Sequence, residues 1–107
     1  PSISTGTANI ILPSDITISA NTWTHIAWTR DASNVVRAFK DGVVSATTGT
    51  SSADISATAA GSTKFGRNAY GAGTQQTDCY VDDIRVTKGV CRYTTNFTPP
   101  AAAFPNS

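Results

Sequence analysis

A chain of 107 residues with a formal net charge of +1 is one domain with room for a modest core. Hydrophobic residues make up 39% and charged residues only 14%, and Thr and Ser fill the difference, a profile that suits extracellular or virion β proteins better than helical cytosolic enzymes. The eight basic residues are scattered, which leaves no electrostatic footprint for nucleic acid or an acidic membrane, and no apolar run approaches the length of a membrane span.

Along the chain, residues 9–12 (N-I-I-L) and 15–19 (D-I-T-I-S) are short β-prone pieces separated by Pro13-Ser14, which ends the first at a turn. Asn21-Thr22 turns the chain into the strand expected over residues 23–30 (W-T-H-I-A-W-T-R). Alternation puts Trp23, His25, Ala27 and Thr29 on one face and Thr24, Ile26, Trp28 and Arg30 on the other. Bulky apolar groups on both faces predict an interior strand covered on both sides, with Trp23 buried. Asp31-Ala32-Ser33-Asn34 closes that strand, and residues 35–45 resume the β pattern around Asp41-Gly42, a strong hairpin signal. The three strands read as an antiparallel meander.

Residues 47–61, rich in Thr, Ser, Ala and Gly, read as a long loop with one short strand near Ile55. A brief strand is expected over 63–67, a flexible loop over 71–77, and a last clear strand over 80–87 (Y-V-D-D-I-R-V-T). The C-terminal end contains Pro99, Pro100 and Pro105 and cannot be regular sheet, so it reads as an extended tail packed along the domain and pinned by Tyr93 and Phe97. This divides the chain into a domain over 1–98 and a Pro/Ala-rich tail or linker over 99–107. Cys79 and Cys91 make neither a CxxC motif nor a metal cluster; a disulfide and two free thiols both remain open.

With these pieces placed, the chain resembles the concanavalin A-like, laminin-G-like jelly rolls. Trp23-Thr24-His25-Ile26-Ala27 followed by Arg30 resembles that family's W-x-H-[VI]-A…R strand, and Phe39-Lys40-Asp41-Gly42 its F-x-[DN]-G hairpin. Phe65-Gly66-Arg67 and Val81-Asp82-Asp83-Ile84-Arg85-Val86 resemble two later strands of the same pattern. The continuation T-K-G-V-C-R-Y-T-T-N-F-T-P-P, residues 87–100, looks like the version found in bacteriophage tail fibres, tail-associated proteins and capsid or decoration proteins. The resemblance implies an all-β antiparallel sandwich of jelly-roll type. Complete members have several more strands before the W-x-H-x-A strand, so this chain is expected to hold only the C-terminal part of the sandwich. An edge left open in that way needs a partner, which implies association with other virion subunits, first of all copies of itself.

Asp82 shares a face with Tyr80, Ile84 and Val86, so it is expected to point toward the core, where a carboxylate needs hydrogen bonds or a cation. In related jelly-roll glucanases the matching Asp contributes to a structural calcium site, and the alternative is an Asp held by backbone N–H groups. Asp83, Arg85 and Arg30 are expected to pair with strand neighbours. His25, the lone histidine, is expected to be packed into the sheet; with Trp23, Phe39, Gly42 and Arg85 it belongs to the structural set.

Related glucanases carry an E-x-D-x-x-E arrangement, whereas this chain has no glutamate and its seven Asp residues fall mostly in turns. Hydrolysis on this chain is therefore not expected. Sugar binding needs an exposed ring and amide or carboxylate partners, and Asn68, Tyr70, Gln75, Gln76 and Asp78 cluster in one loop that meets this description. The expected role is a non-enzymatic virion module adhering to glycans through its end loops. The alternative is a carbohydrate-binding module accessory to a secreted or surface enzyme.

Overall fold

The computed structural model describes residues 2–4, 9–11, 16–52 and 78–105. Its strands are β1 (Ser2–Ser4), β2 (Asn9–Ile11), β3 (Ile26–Arg30), β4 (Val35–Lys40), β5 (Val43–Val44) and β6 (Gly49–Thr50), all paired antiparallel, and no helix occurs among the described residues. β1 and β2 form a separate two-stranded ladder. The expected short strands near Ile55 and over 63–67 lie outside the described residues.

The sheet is organised around β4, which pairs with β3 along one edge and with β5 and β6, in line, along the other. The register sets Ile26 opposite Lys40, Trp28 opposite Ala38 and Arg30 opposite Val36 on one face. Ala27 opposite Phe39 and Thr29 opposite Arg37 occupy the second face. The expected alternation is thus observed, and each face acquires its own cover.

On the first face, Ile16 packs with Val36, Ala38 and the partly buried Ile26. Residues 16–19 form no strand, although an alternating one was expected from the sequence; the segment instead lays Ile16 onto the sheet and leaves Ile18 exposed. Lys40 Nζ anchors it by donating to the Thr17 carbonyl at 2.6 Å. On the second face, Phe39 is completely buried beneath Tyr93 and Phe97 of the C-terminal segment.

Local chemistry explains both turns. Asp41-Gly42 is a two-residue link with φ of 50° and 82°, the left-handed pair that a twisted hairpin requires. At the other end, Asp31 Oδ1 accepts the N–H groups of Ser33 (2.9 Å) and Val35 (3.0 Å), while Asn34 takes a φ of 64°.

Two further strand expectations are corrected. The central strand begins at Ile26 rather than at Trp23: His25 still exchanges hydrogen bonds with Asp41, but β4 turns there, and residues 23 and 24 have no strand beside them among the described residues. Trp23 is accordingly 72% exposed, not buried. Residues 80–87 form no strand either. Asp83 adopts a φ of 50° and its N–H turns back to Asp82 Oδ1 at 2.8 Å, which breaks the period-two backbone a ladder needs.

Candidate functional site: the hairpin end and its C-terminal clasp

Hydrogen bonds and ring contacts converge at the end of the sheet where the β4–β5 hairpin meets residues 93–99. The Phe97 N–H donates to the Gly42 carbonyl at 2.9 Å, and the Val44 N–H donates to Asn96 Oδ1 at 2.9 Å. Farther along, the Thr29 hydroxyl donates to the Tyr93 carbonyl at 2.8 Å. These bonds satisfy backbone groups that a strand edge would otherwise present to solvent. Tyr93 and Phe97 stack with centroids 3.6 Å apart and planes 6° from parallel, and both meet the Phe39 ring edge-on. The spacing Y-x-x-x-F is thus a clasp. The expected pinning of the tail by these two rings is what the structure shows.

His25 completes the cluster. Its ring meets Phe97 edge-on at 5.6 Å, and its backbone N–H donates to Asp41 Oδ1 at 2.9 Å while its carbonyl accepts the Asp41 N–H at 2.8 Å. Its Nδ1 is buried without a hydrogen-bond partner, and the ring packs against Phe97.

Two shallow depressions flank the sheet. One of about 310 Å³ lies beside the hairpin, between Ile16, Lys40, Asp41, Val43, Val44 and Ser45. The other, of about 490 Å³, lies at the opposite end and is lined by Ser33, Asn34, Thr50, Ser51 and Ser52. Near the second, the Arg37 guanidinium donates to Asp31 Oδ2 at 2.6 Å, and Arg30 donates to the Ser51 carbonyl at 3.4 Å.

That Arg37 hydrogen bond, aided by the Val35 N–H, holds the Asp31 carboxyl below its ordinary value. A lowered folded-state value means that Asp31 contributes stability above the ordinary carboxylate range, and that this contribution disappears as pH falls through the lowered value. Asp31→Asn is therefore expected to melt below the wild type at pH 7. The gap should narrow below about pH 4. A gap independent of pH would show that the turn bonds to Ser33 and Val35, not the charge, are what the substitution removes.

The candidate glycan residues Asn68, Tyr70, Gln75 and Gln76 lie outside the described residues, and Asp78 is exposed. Asp82 is exposed rather than turned to a core, because the Asx-type bond to its neighbour holds it at the surface. Among the described residues, no group of three or more His, Cys or Asp side chains is arranged to hold a metal ion. Arg85 does not pair with a strand neighbour; its guanidinium lies 3.7 Å from the centroid of the Phe104 ring, while the Phe104 N–H reaches Asp83 Oδ1 at 3.3 Å. Cys79 and Cys91 are free thiols, and the Cys91 Sγ donates to the Tyr93 carbonyl at 3.4 Å. What sequence reasoning missed is the exposed Trp23 and the use of Asn96 as a cap on β5.

Residues 2–92 match the laminin G family model described as the concanavalin A-like lectin/glucanases superfamily. No curated protein and no solved structure matches the chain.

Proposed function

We propose, because this chain belongs to the concanavalin A-like lectin/glucanase superfamily, that it is a non-enzymatic jelly-roll module of a phage virion. On this reading it is displayed on a tail fibre, tail or capsid surface and adheres to glycans through the end loops of its sandwich. The observation that carries the virion role is the segment 87–100, T-K-G-V-C-R-Y-T-T-N-F-T-P-P. It resembles the virion type of the domain, and in this structure its Tyr93, Asn96 and Phe97 form the clasp over the hairpin.

The carboxylates support a role without catalysis. The chain has no glutamate, Asp31 is spent on a turn and an ion pair, and Asp41 on the hairpin. A glycosidase needs two carboxyl groups facing each other across a cleft.

Assembly with copies of itself is supported by Tyr80, Val81, Ile84, Val86 and Val90, which are all exposed within eleven residues, Tyr80 at 91%. Soluble monomers rarely leave so much apolar side chain uncovered in one stretch.

Antibody raised against the chain is expected to label the surface of phage particles, and the purified chain to sediment as an oligomer. Label confined to a secreted hydrolase would favour an accessory carbohydrate-binding module instead, and a concentration-independent monomer would remove the assembly.

A further inference from the structure

The two edges of the sheet are treated differently. Along β5 the Val44 N–H is capped by Asn96 Oδ1, and the Gly42 carbonyl beside it accepts the Phe97 N–H. The opposite edge is β3. The His25 carbonyl accepts the Asp41 N–H at 2.8 Å, and the Asp31 N–H donates to the Val35 carbonyl at 3.1 Å. Odd-numbered residues of this run therefore turn their backbone groups toward β4. Consistently, Ala38, opposite Trp28, gives its carbonyl to the Ser45 N–H on the far side at 2.9 Å. Ile26 and Trp28 thus direct N–H and C=O outward, and nothing among the described residues bonds to those groups.

An open strand edge is a template for another strand, and soluble proteins commonly blunt it with Lys, Pro or a covering segment. Residues 22–29 (T-W-T-H-I-A-W-T) contain no Pro and no Lys, Arg, Asp or Glu. Both indoles of the chain lie on this run and both are exposed, Trp28 at 38%. The chain's own strand-like stretch, residues 80–87, is not shaped to cover the edge. Asp83 holds a φ of 50° there and its N–H is bonded to Asp82 Oδ1. A second copy of β3 is shaped for it. Under a two-fold axis through Ala27 the edge pairs antiparallel with itself, so that Ile26 and Trp28 exchange backbone bonds with Trp28 and Ile26 of the copy. Each pair sets an aromatic ring against a β-branched side chain on the first face, a favourable cross-strand combination. The uncharged run brings no charge against its like.

We propose that the outer edge of β3 is a homodimer interface, at which residues 26–28 of two copies pair antiparallel and join two four-stranded sheets into one. This rests on the self-assembly reading above and assigns it a surface apart from residues 80–90.

The test is sedimentation velocity of the full chain over a concentration series, with a cross-link to locate the contact. The wild type is expected to sediment as a dimer. Trp28→Lys, which puts a charge on the edge, should weaken dimerisation roughly tenfold or more at an unchanged melting temperature. In a Cys79→Ser/Cys91→Ser chain, Ala27→Cys is expected to give a disulfide-linked dimer under mild oxidation. The residue on the axis faces its own copy with Cα atoms about 4.5 Å apart, within disulfide reach. Thr29→Cys, two residues off the axis, should not link. Absence of the Ala27→Cys link would overturn this edge even where Trp28→Lys fails to fold, and so would an undiminished dimer in folded Trp28→Lys. An oligomer that persisted in either case would leave assembly standing through residues 80–90. A concentration-independent monomer would overturn both.

Discussion

Phe39→Ala is expected to lower the stability of the fold by about 3–5 kcal/mol, the cost of deleting a fully buried aromatic ring. Phe39 is completely buried at the centre of the second face of the sheet. Its ring meets Phe97 at 5.3 Å and Tyr93 at 6.2 Å, with interplanar angles of 64° and 67°, so truncation removes two edge contacts as well as apolar area. The cavity cannot collapse easily, because Phe97 is tied by its own N–H to Gly42 and the Tyr93 carbonyl accepts from Thr29. A loss of this size is a large share of the roughly 5–15 kcal/mol that holds a small domain together. Denaturant unfolding of the purified chain measures it. Phe39→Leu keeps most of the volume and should cost much less, under about 1.5 kcal/mol if the cavity term dominates. If Phe39→Ala cost less than about 1 kcal/mol, the clasp would not be seated on this face.

The second large effect is expected at Gly42. Its φ of 82° is left-handed, and a Cβ there would overlap the Phe97 carbonyl oxygen and come within 2.9 Å of Pro99 Cδ. Gly89 is the internal control: its φ is 86°, yet a Cβ added there meets nothing within 4 Å. Gly89→Ala should therefore cost only the left-handed backbone penalty of about 1–2 kcal/mol. Gly42→Ala adds the displacement of the clasp, about 1–3 kcal/mol more, since relieving the overlap breaks the Phe97 to Gly42 hydrogen bond. Limited proteolysis should then cut between residues 90 and 99 in the Gly42 variant and not in the Gly89 variant. Equal costs at the two glycines would mean that the C-terminal segment does not rest on the hairpin.

The elements that were legible in the sequence are those whose information is local. Asp41-Gly42 specifies its turn because both residues tolerate positive φ, and the meander follows from that turn and the one at Asp31. The two faces of β3 could be assigned because side chains alternate on any strand, and Ala27 opposite Phe39 and Trp28 opposite Ala38 stand as that alternation requires. Pinning of the tail by Tyr93 and Phe97 was legible for a similar reason: prolines exclude the segment from sheet, and two rings in it must be covered somewhere.

The readings that failed are those that needed to know what lies alongside. Residues 23–25 and 80–87 have the composition of strands, but a strand exists only where a second one supplies its hydrogen bonds. At Trp23 the neighbouring strand has already turned at Asp41, and at Asp83 a local side-chain bond and a left-handed φ interrupt the ladder. Arg85 shows the same limit: its spacing from Asp83 suggested a strand pairing, while the fold brings it the ring of Phe104 from nineteen positions away.

By itself, then, the sequence determined the antiparallel all-β class, the two turns, the alternation across the central strands and the family to which residues 2–92 belong, because each depends on intrinsic backbone preference or on residue order. Only the tertiary structure decided that Asn96 caps β5, and that Phe39 is the buried aromatic anchor while Trp23 stands exposed. Burial is a property of what packs against a residue. No spacing along one strand contains that information.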